Sequence, residues 1–430
     1  MPLTPQLPEL SEISREWLAS NPVESRKALG QYLTPAPVAG ALLDRLTTRP
    51  GMRVLDPGVG TGELLLAVRE RWPEAELTGW DVDRTALEAA ARLVPEASLV
   101  RRSALDRPAD DAGFDLVVGN PPYFQLRPTP DQKKRFGQVI SGRANIFAFF
   151  FKAGLDALRP GGTLAYIVPP SMNSGAYFER LREHLIERAR ITSLTVLDGA
   201  DQFEGVNTAV QLLILEKREG RSAAGDRPAG KATDADGGEH PGEPFVFERS
   251  SPGAGFRRIV FTPDPVALAR QFEGRQTLWE LGFEAVTGTI VWNQHREQLR
   301  DSPGPGTVPL IWSRDLGTGG RRAAARSPGK PGFVTGREPR YGPAILVNRV
   351  VGAVGRGELR TAFMEEGEPY LAENHVNVIR PRSDRNRPPT VSWERLGAAL
   401  GAPEVAERVR LLTGNTQVSA GELTHLLPLA

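Results

Sequence analysis

Between Met52 and Lys217 short apolar runs alternate with stretches of helical period, and no other feature of the chain limits its fold as much. The candidate strands are Arg53–Leu55, Leu77–Trp80, Ala97–Val100, Leu116–Gly119, Thr163–Val168, Ile191–Leu197 and Thr208–Leu215. Between most of them lie Glu63–Arg71, Thr85–Leu93, Asn145–Leu158 and Tyr177–Ala189, whose apolar residues recur at helical spacing. Such alternation predicts a doubly wound α/β sheet, since each crossover helix returns the chain to begin a parallel neighbour. No helical stretch separates the last two strands. They are expected to pair directly, one antiparallel to the rest, which makes the sheet a mixed one.

The chain has 430 residues, enough for two or three domains. The first is expected to cover residues 1–218. Residues 219–244, EGRSAAGDRPAGKATDADGGEHPGEP in the main, carry almost no large apolar side chain and cannot offset their ordering entropy. They read as a flexible linker or long loop. Residues 245–430 form a different domain, with scattered aromatics (Trp279, Trp292, Trp312, Tyr341, Phe363, Tyr370), short strands such as Ala344–Val347, and few helices before the C-terminus.

Whole-chain charge is +1, so the protein is no basic coat, and any electrostatic footprint must be local. One such place exists. Between Ile311 and Arg360 ten Lys/Arg face three acids, a local balance of +7. A solvated loop is the plain reading. The alternative is a surface that tracks phosphates and offers arginines to guanine edges. The absence of cysteine excludes disulfides, cysteine zinc sites and thiolate nucleophiles, and with them thiol proteases and cytosine-C5 methyltransferases. The five histidines are far apart in sequence and suggest no metal site. The N-terminus lacks a charged region followed by an apolar one, and no apolar run reaches 18 residues, so a cytoplasmic protein is expected.

Three motifs carry chemistry. Val54-Leu55-Asp56-Pro57-Gly58-Val59-Gly60-Thr61-Gly62 spans a strand-to-helix turn, where glycines let the backbone approach a ligand and the helix start offers N–H groups. Asp81 ends the next strand, where a ribose hydroxyl pair would sit. The spacing differs from the dinucleotide fingerprint and favours a nucleoside-type ligand without a pyrophosphate. Gly119-Asn120-Pro121-Pro122-Tyr123 ends the strand Phe114–Val118 and is the most specific signal in the chain. The Asn120 side-chain oxygen and the Pro121 carbonyl can accept the two hydrogens of an exocyclic amine such as adenine N6, localising its lone pair. The prolines hold those acceptors in place, and Tyr123 offers a face for a base. Gly30-Gln31-Tyr32-Leu33-Thr34-Pro35 precedes a helix at Val38–Leu46, with Thr34 read as its N-cap region.

Asp56–Gly62 resembles the S-adenosylmethionine-binding motif of class I methyltransferases, and Asn120–Tyr123 resembles the catalytic motif of amino-methyltransferases. Gly30–Pro35 resembles the N-terminal cofactor motif of γ-class, TaqI-like N6-adenine DNA methyltransferases. The order of cofactor motif, catalytic motif and large C-terminal domain is that of the γ class. The resemblance continues through Gly142–Phe147, Arg159–Gly162 and Gln202–Thr208, where the family carries an aromatic near the flipped base. Farther on, Ala344–Arg349 and Ala372–Ile379 are similar to restriction–modification methylases of the PstI/BsuBI and XhoI types.

The resemblance implies a Rossmann-like, seven-stranded mixed sheet with a C-terminal α+β target-recognition domain. It implies S-adenosylmethionine as cofactor, double-stranded DNA as partner, a monomer, and a cognate endonuclease on another chain. Catalysis would fall to Asn120, Pro121, Pro122, Tyr123 and Phe203. Cofactor contacts would come from Thr34, Asp56, Pro57, Gly58, Gly60, Gly62, Asp81, Val82, Ser103, Ala104, Asn120 and Pro122. Ser103 stands where the family often has an acid facing the cofactor's adenine, and Asp106 lies three residues on. DNA contacts would come from Arg314, Arg321, Arg322, Arg349, Arg356, Asn374 and His375. Two rivals share these motifs: a methyltransferase acting on RNA or a protein glutamine, and a DNA-binding module on an inactive methyltransferase fold. The 186 residues of 245–430 argue against the first, and the intact motifs argue against the second.

Overall fold

The computed structural model describes residues 10–429 apart from 29, 48, 107–112, 141–143, 198–209, 221–230, 234–238, 242–243, 252–255, 318–328, 350–357, 384–387 and 414–416. Two compact units emerge, one of Met1–Met172, Tyr177–Ala232 and His240–Val246, the other of Asn173–Ala176, Thr233–Glu239 and Phe247–Ala430. No helix among the described residues is long and apolar enough to cross a membrane.

The first unit is built on seven strands: β1 (Arg53–Asp56), β2 (Glu76–Asp81), β3 (Ser98–Arg101), β4 (Phe114–Gly119), β5 (Leu158–Val168), β6 (Ala189–Leu197) and β7 (Val210–Lys217). Their order is β3-β2-β1-β4-β5-β7-β6. Strands β1 to β5 run parallel to one another, and β7 runs antiparallel to both β5 and β6. This is the Rossmann-like mixed sheet that the resemblance implied, and the last two strands do pair, with β7 inserted between β5 and β6. Its helices include α1 (Glu12–Ser20), α2 (Ala36–Leu43), α3 (Glu63–Arg71), α4 (Arg84–Leu93), α5 (Ile146–Ala157) and α6 (Glu179–Arg188).

Alternation along the strands divides the core. Val54, Leu116, Val118, Ala165, Ile167, Leu212 and Ile214 form one face and pack with Val38 and Leu42 of α2 and Leu64, Leu65 and Val68 of α3. On the opposite face α5 is buried almost throughout, with Phe151 edge-on to Tyr166 at 5.2 Å. A Phe→Ala change at a site this enclosed costs roughly 3–5 kcal/mol. The apolar pattern starts this strand at Thr163, but β5 begins at Leu158, and Arg159–Gly162 lie within its 11 residues. The register shifts opposite Phe114 and Leu116, and Gly161 sits at φ 69°. A bulge accommodates what looked like a strand break.

The second unit has a four-stranded sheet and a five-stranded one. Its strands are β8 (Phe283–Thr287), β9 (Leu299–Arg300), β10 (Thr307–Ile311), β11 (Phe333–Thr335), β12 (Arg340–Tyr341), β13 (Ala344–Asn348), β14 (Thr361–Met364), β15 (Pro369–Ala372) and β16 (Val376–Pro381). The orders are β8-β16-β13-β14 and β9-β11-β10-β15-β12. Helices α7 (Trp393–Leu400), α8 (Pro403–Thr413) and α9 (Ala420–His425) share a core with the first sheet through Leu396, Val405, Leu423, Phe283, Ile345 and Ile379. This is the expected α+β composition. Within the stretch read as a linker, Lys231–Thr233 pairs with Glu239–Pro241 in a two-stranded ladder. Backbone hydrogen bonding needs no large apolar side chain, which is why composition did not reveal it.

Candidate active site

In the first unit the strand order reverses at β1, which lies between β2 and β4. In open α/β sheets the carboxyl ends of the strands at such a reversal leave a crevice for ligands. The glycine turn leaves β1 there, and the Asn120–Tyr123 loop leaves β4 beside it. Gly62 stands at φ 94° as the N-cap of α3, and a Cβ on it would meet Ala90 of α4 at 3.3 Å. Its absent side chain lets two helices close together. Gly30, at φ 63°, performs a similar service for the segment before α2, since a Cβ there would lie 2.8 Å from the Tyr123 amide nitrogen. That close approach brings Tyr32 and Thr34 against Asn120.

A cavity opens in this crevice. Of the residues singled out in the sequence, Pro57, Gly58, Gly60, Asp81, Val82, Ser103, Ala104, Asn120 and Pro122 line it. Thr34 and Asp56 line an adjoining recess together with Gly58, Gly60 and Asn120. Gly62 lines neither and serves helix packing. Trp17, Gln31, Tyr32, Phe124, Ile146 and Phe150 also form the cavity wall; Gln31 and Tyr32 belong to the Gly30–Pro35 motif and Ile146 to the Gly142–Phe147 stretch, while Trp17, Phe124 and Phe150 lie outside every motif. Trp17 comes from α1, which is tied to the glycine turn's helix. Ser11 donates from its amide to Glu63 Oε1 at 3.1 Å, the Ser14 and Thr61 hydroxyls are 2.6 Å apart, and Trp17 Nε1 donates to Thr85 Oγ1 at 3.0 Å.

Asp81 accepts the Gly60 amide on Oδ2 at 2.8 Å and the Asp83 amide on Oδ1 at 2.9 Å. It therefore fixes the turn as well as facing the cavity. Ser103 Oγ accepts the Leu105 amide at 3.1 Å. Thr34 is not the N-cap of α2. Pro35 holds that position without a side-chain bond, and Thr34 Oγ1 accepts from Asn120 Nδ2 at 3.3 Å. The competing partner lies 86 residues away, beyond the reach of local pattern.

Asn120 is held at both ends. Its Nδ2 also donates to the Tyr32 carbonyl at 3.0 Å, and its Oδ1 accepts from the Tyr123 hydroxyl at 2.6 Å. The Tyr123 hydroxyl lies 2.7 Å from the Ile167 carbonyl as well, so one proton serves two acceptors. The Tyr123 ring stacks toward Tyr32, centroids 6.2 Å apart and planes at 30°, and stands edge-on to Phe147. Burial, then the nearby Tyr32 hydroxyl, pushes its ionisation far above the usual range, so it acts as a neutral donor.

Burial drives the Asp56 carboxyl up to about 7, against the Gly58 amide, which it accepts at 3.0 Å; the charge of Asp81 adds to the rise. Burial likewise raises Asp81. Two buried acids that repel each other favour a cation. The aromatic and aliphatic wall suits a flat purine. S-adenosylmethionine, with its sulfonium, ammonium, ribose hydroxyls and adenine, fits this donor set.

The raised Asp56 makes a stability prediction for the ligand-free protein. A carboxyl with a folded pKa above its unfolded value favours the fold while neutral, below about pH 4, and loses that contribution as pH rises through about 7. Relative to Asp56→Asn, the wild-type protein is expected to lose on the order of a few kcal/mol across this window. Denaturant unfolding of both proteins from pH 4 to 8 measures it, and parallel curves would remove the buried-acid account.

In the second unit Arg349 follows β13, and Asn374 and His375 form the turn after β15. The Arg349 amide donates to the His375 carbonyl at 2.9 Å, which joins the two sites. Glu373, 1% exposed, holds His375 Nδ1 at 2.8 Å, while the imidazole is half exposed. Arg314 is exposed just beyond β10, whose Ile311 carbonyl accepts the Glu373 amide. Phe203, Arg321, Arg322 and Arg356 lie outside the described residues.

Residues 74–203 match the Eco57I restriction-modification methylase family, and residues 10–90 match the N-6 DNA Methylase family. The Type II methyltransferase M.BsuBI of Bacillus subtilis is 23% identical over 96% of this chain and 90% of its own length. Modification methylase CviBIII of Paramecium bursaria Chlorella virus NC1A is 28% identical over 46% of this chain, which spans about half of that relative (52%). Among solved structures, the type I restriction-modification system methyltransferase subunit from Streptococcus thermophilus is 24% identical, with a TM-score of 0.38, over 43% of this chain and 45% of that one.

Proposed function

We propose that the chain is a DNA methyltransferase of the restriction–modification type that methylates N6 of an adenine turned out of duplex DNA. The observation that carries the reading is the Asn120 carboxamide, which lines the cavity with its nitrogen bonded to the Tyr32 carbonyl and its oxygen to the Tyr123 hydroxyl. Bound S-adenosylmethionine supplies a methyl group made electrophilic by its sulfonium. Asp81 and the glycine turn would hold its nucleoside part, and Asp56 with Asp81 would offer the negative charge that a sulfonium and ammonium favour.

Adenine N6 is a poor nucleophile because its lone pair is spread into the ring. Asn120 Oδ1 and the Pro121 carbonyl accept its two hydrogens and concentrate the pair toward the methyl carbon. Both acceptors gain strength as positive charge grows on N6, so they favour the transition state over the ground state. Orientation supplies much of the rest. Turning the base out costs a few kcal/mol. Stacking on Tyr123 returns roughly 1–3 kcal/mol, and Phe203 is proposed to add a second contact.

Residues 245–430 would read the target. Arg314, Arg349, Asn374 and His375 are proposed to face DNA, with Arg321, Arg322 and Arg356 contributing phosphate contacts. His375→Ala is expected to weaken cognate binding by roughly tenfold and relax the preference at one base pair. Cofactor affinity should stay unchanged. Gel-shift titration on a panel of single-base variants checks this; a uniform loss across the panel would make His375 a backbone contact. One chain per target and a separately encoded endonuclease complete the reading.

The test is methyl acceptance. Purified protein with tritiated S-adenosylmethionine is given duplex DNA, RNA or release factor in separate reactions. Label in DNA is the expected result. Label only in RNA or in protein would keep the chemistry and overturn the reading of residues 245–430.

A further inference from the structure

The two ends of a carboxamide are nearly alike in shape and opposite in chemistry. A catalytic asparagine that must accept hydrogen bonds from an amine is useless when flipped. Something must therefore decide which end faces the base. Around Asn120 most polar neighbours are undecided, because the Thr34 and Tyr123 hydroxyls can each donate or accept. The Tyr32 backbone carbonyl, 3.0 Å away, can only accept. It forces Nδ2 to its side and Oδ1 to the other. Thr34 Oγ1, 3.3 Å from the same nitrogen, then takes the second amide hydrogen. Thr34 is 4% exposed, so this bond is sheltered from water.

From this arrangement we infer that Thr34 is a positioning residue for methyl transfer: the Tyr32 carbonyl decides which end of the Asn120 carboxamide is the nitrogen, and the Thr34 hydroxyl, by taking that nitrogen's second hydrogen, fixes the amide plane so that the oxygen end is held for the substrate amine. The inference rests on the proposed role of Asn120. It gives the Gly30–Pro35 segment a task beyond touching the cofactor, because both of its anchors act through Asn120. A flipped carboxamide would set two acceptor oxygens against each other at the Tyr32 carbonyl, whereas the Thr34 and Tyr123 hydroxyls could turn to suit either end. It would also present a donor to N6, where a donor meets a donor.

The decisive comparison is Thr34→Val, which keeps the shape and removes the hydroxyl, with Thr34→Ser as the conservative rescue. Loss of one anchor should lower kcat roughly 3- to 10-fold, the size of one hydrogen bond expressed as a rate. The dissociation constants for S-adenosylmethionine and for cognate DNA should not move, and Thr34→Ser should recover most of the rate. In an Asn120→Ala background, Thr34→Val should cost nothing more. A raised cofactor dissociation constant with unchanged kcat would overturn the inference and make Thr34 a cofactor contact. So would an undiminished effect of Thr34→Val in the Asn120→Ala background. Full activity of Asn120→Ala alone would instead remove the reading of Asn120 on which the inference stands. If Thr34→Val melts early, Thr34→Ala takes its place in the same cycle.

Discussion

Replacing Asn120 with alanine should lower turnover by roughly 10²–10³-fold, the usual cost of deleting one preorganised hydrogen-bonding group at a reacting centre. The substitution takes away the acceptor that localises the amine's lone pair and leaves the cavity wall otherwise standing. Trp17, Asp81 and Phe150 still line it. Cofactor affinity should therefore fall by no more than a few-fold, and DNA affinity should hold, because the residues proposed to read DNA belong to the second unit. Calorimetry for the cofactor, gel shift for DNA and single-turnover methyl transfer separate the three quantities. Wild-type turnover in the variant would take Asn120 out of the chemistry.

The second large effect belongs to Asp81. Its carboxylate accepts two backbone amides and faces the cavity, so it both shapes the glycine turn and offers lone pairs to a hydroxyl pair. Asp81→Ala removes a charged partner from two such hydrogen bonds. Each is worth about 1.5–3 kcal/mol, so the dissociation constant for S-adenosylmethionine should rise roughly 10²-fold or more. At saturating cofactor the methyl-transfer rate should return to within a few-fold of wild type, since Asp81 does not touch the amine. An unchanged dissociation constant would place the ribose elsewhere.

Much of this was legible in the sequence, and the boundary between what was and was not is physical. Each strand of the sheet carries its own record as a short apolar run. Helix α3 was read to its residue bounds, Glu63–Arg71, because a glycine at its start and arginines in its last turn mark both ends. Asp56, Gly60, Asp81 and Asn120 could be named because each sits in a local motif. Trp17 could not. It joins the cavity through α1, whose bonds to Thr61, Glu63 and Thr85 cross some 47 to 68 positions of sequence. The same distance problem misread Thr34. Next to prolines at a helix start a threonine looks like a cap, and only the fold reveals that Asn120 takes its hydroxyl. The bulge at Gly161 was hidden for the opposite reason. Pro-Gly-Gly is strong turn chemistry locally, and the tertiary pairing of β5 between β4 and β7 overrode it.

Tyr123 joins these lessons to the mechanism. Its ring was expected to offer a face to a base. Its hydroxyl stands between Asn120 Oδ1 and the Ile167 carbonyl with a single proton for both. An amine arriving at Asn120 brings the missing N–H. The hydroxyl can then give its proton to Ile167, and every oxygen in the cluster has a donor.

The central claim is the identity of the atom that receives the methyl group. Duplex DNA modified by the protein with S-adenosylmethionine, digested to nucleosides and resolved by mass spectrometry, answers it in one experiment. The account predicts N6-methyladenine, formed by the wild-type protein and roughly 10²–10³-fold more slowly by Asn120→Ala. Methyl label on cytosine instead of adenine would contradict it.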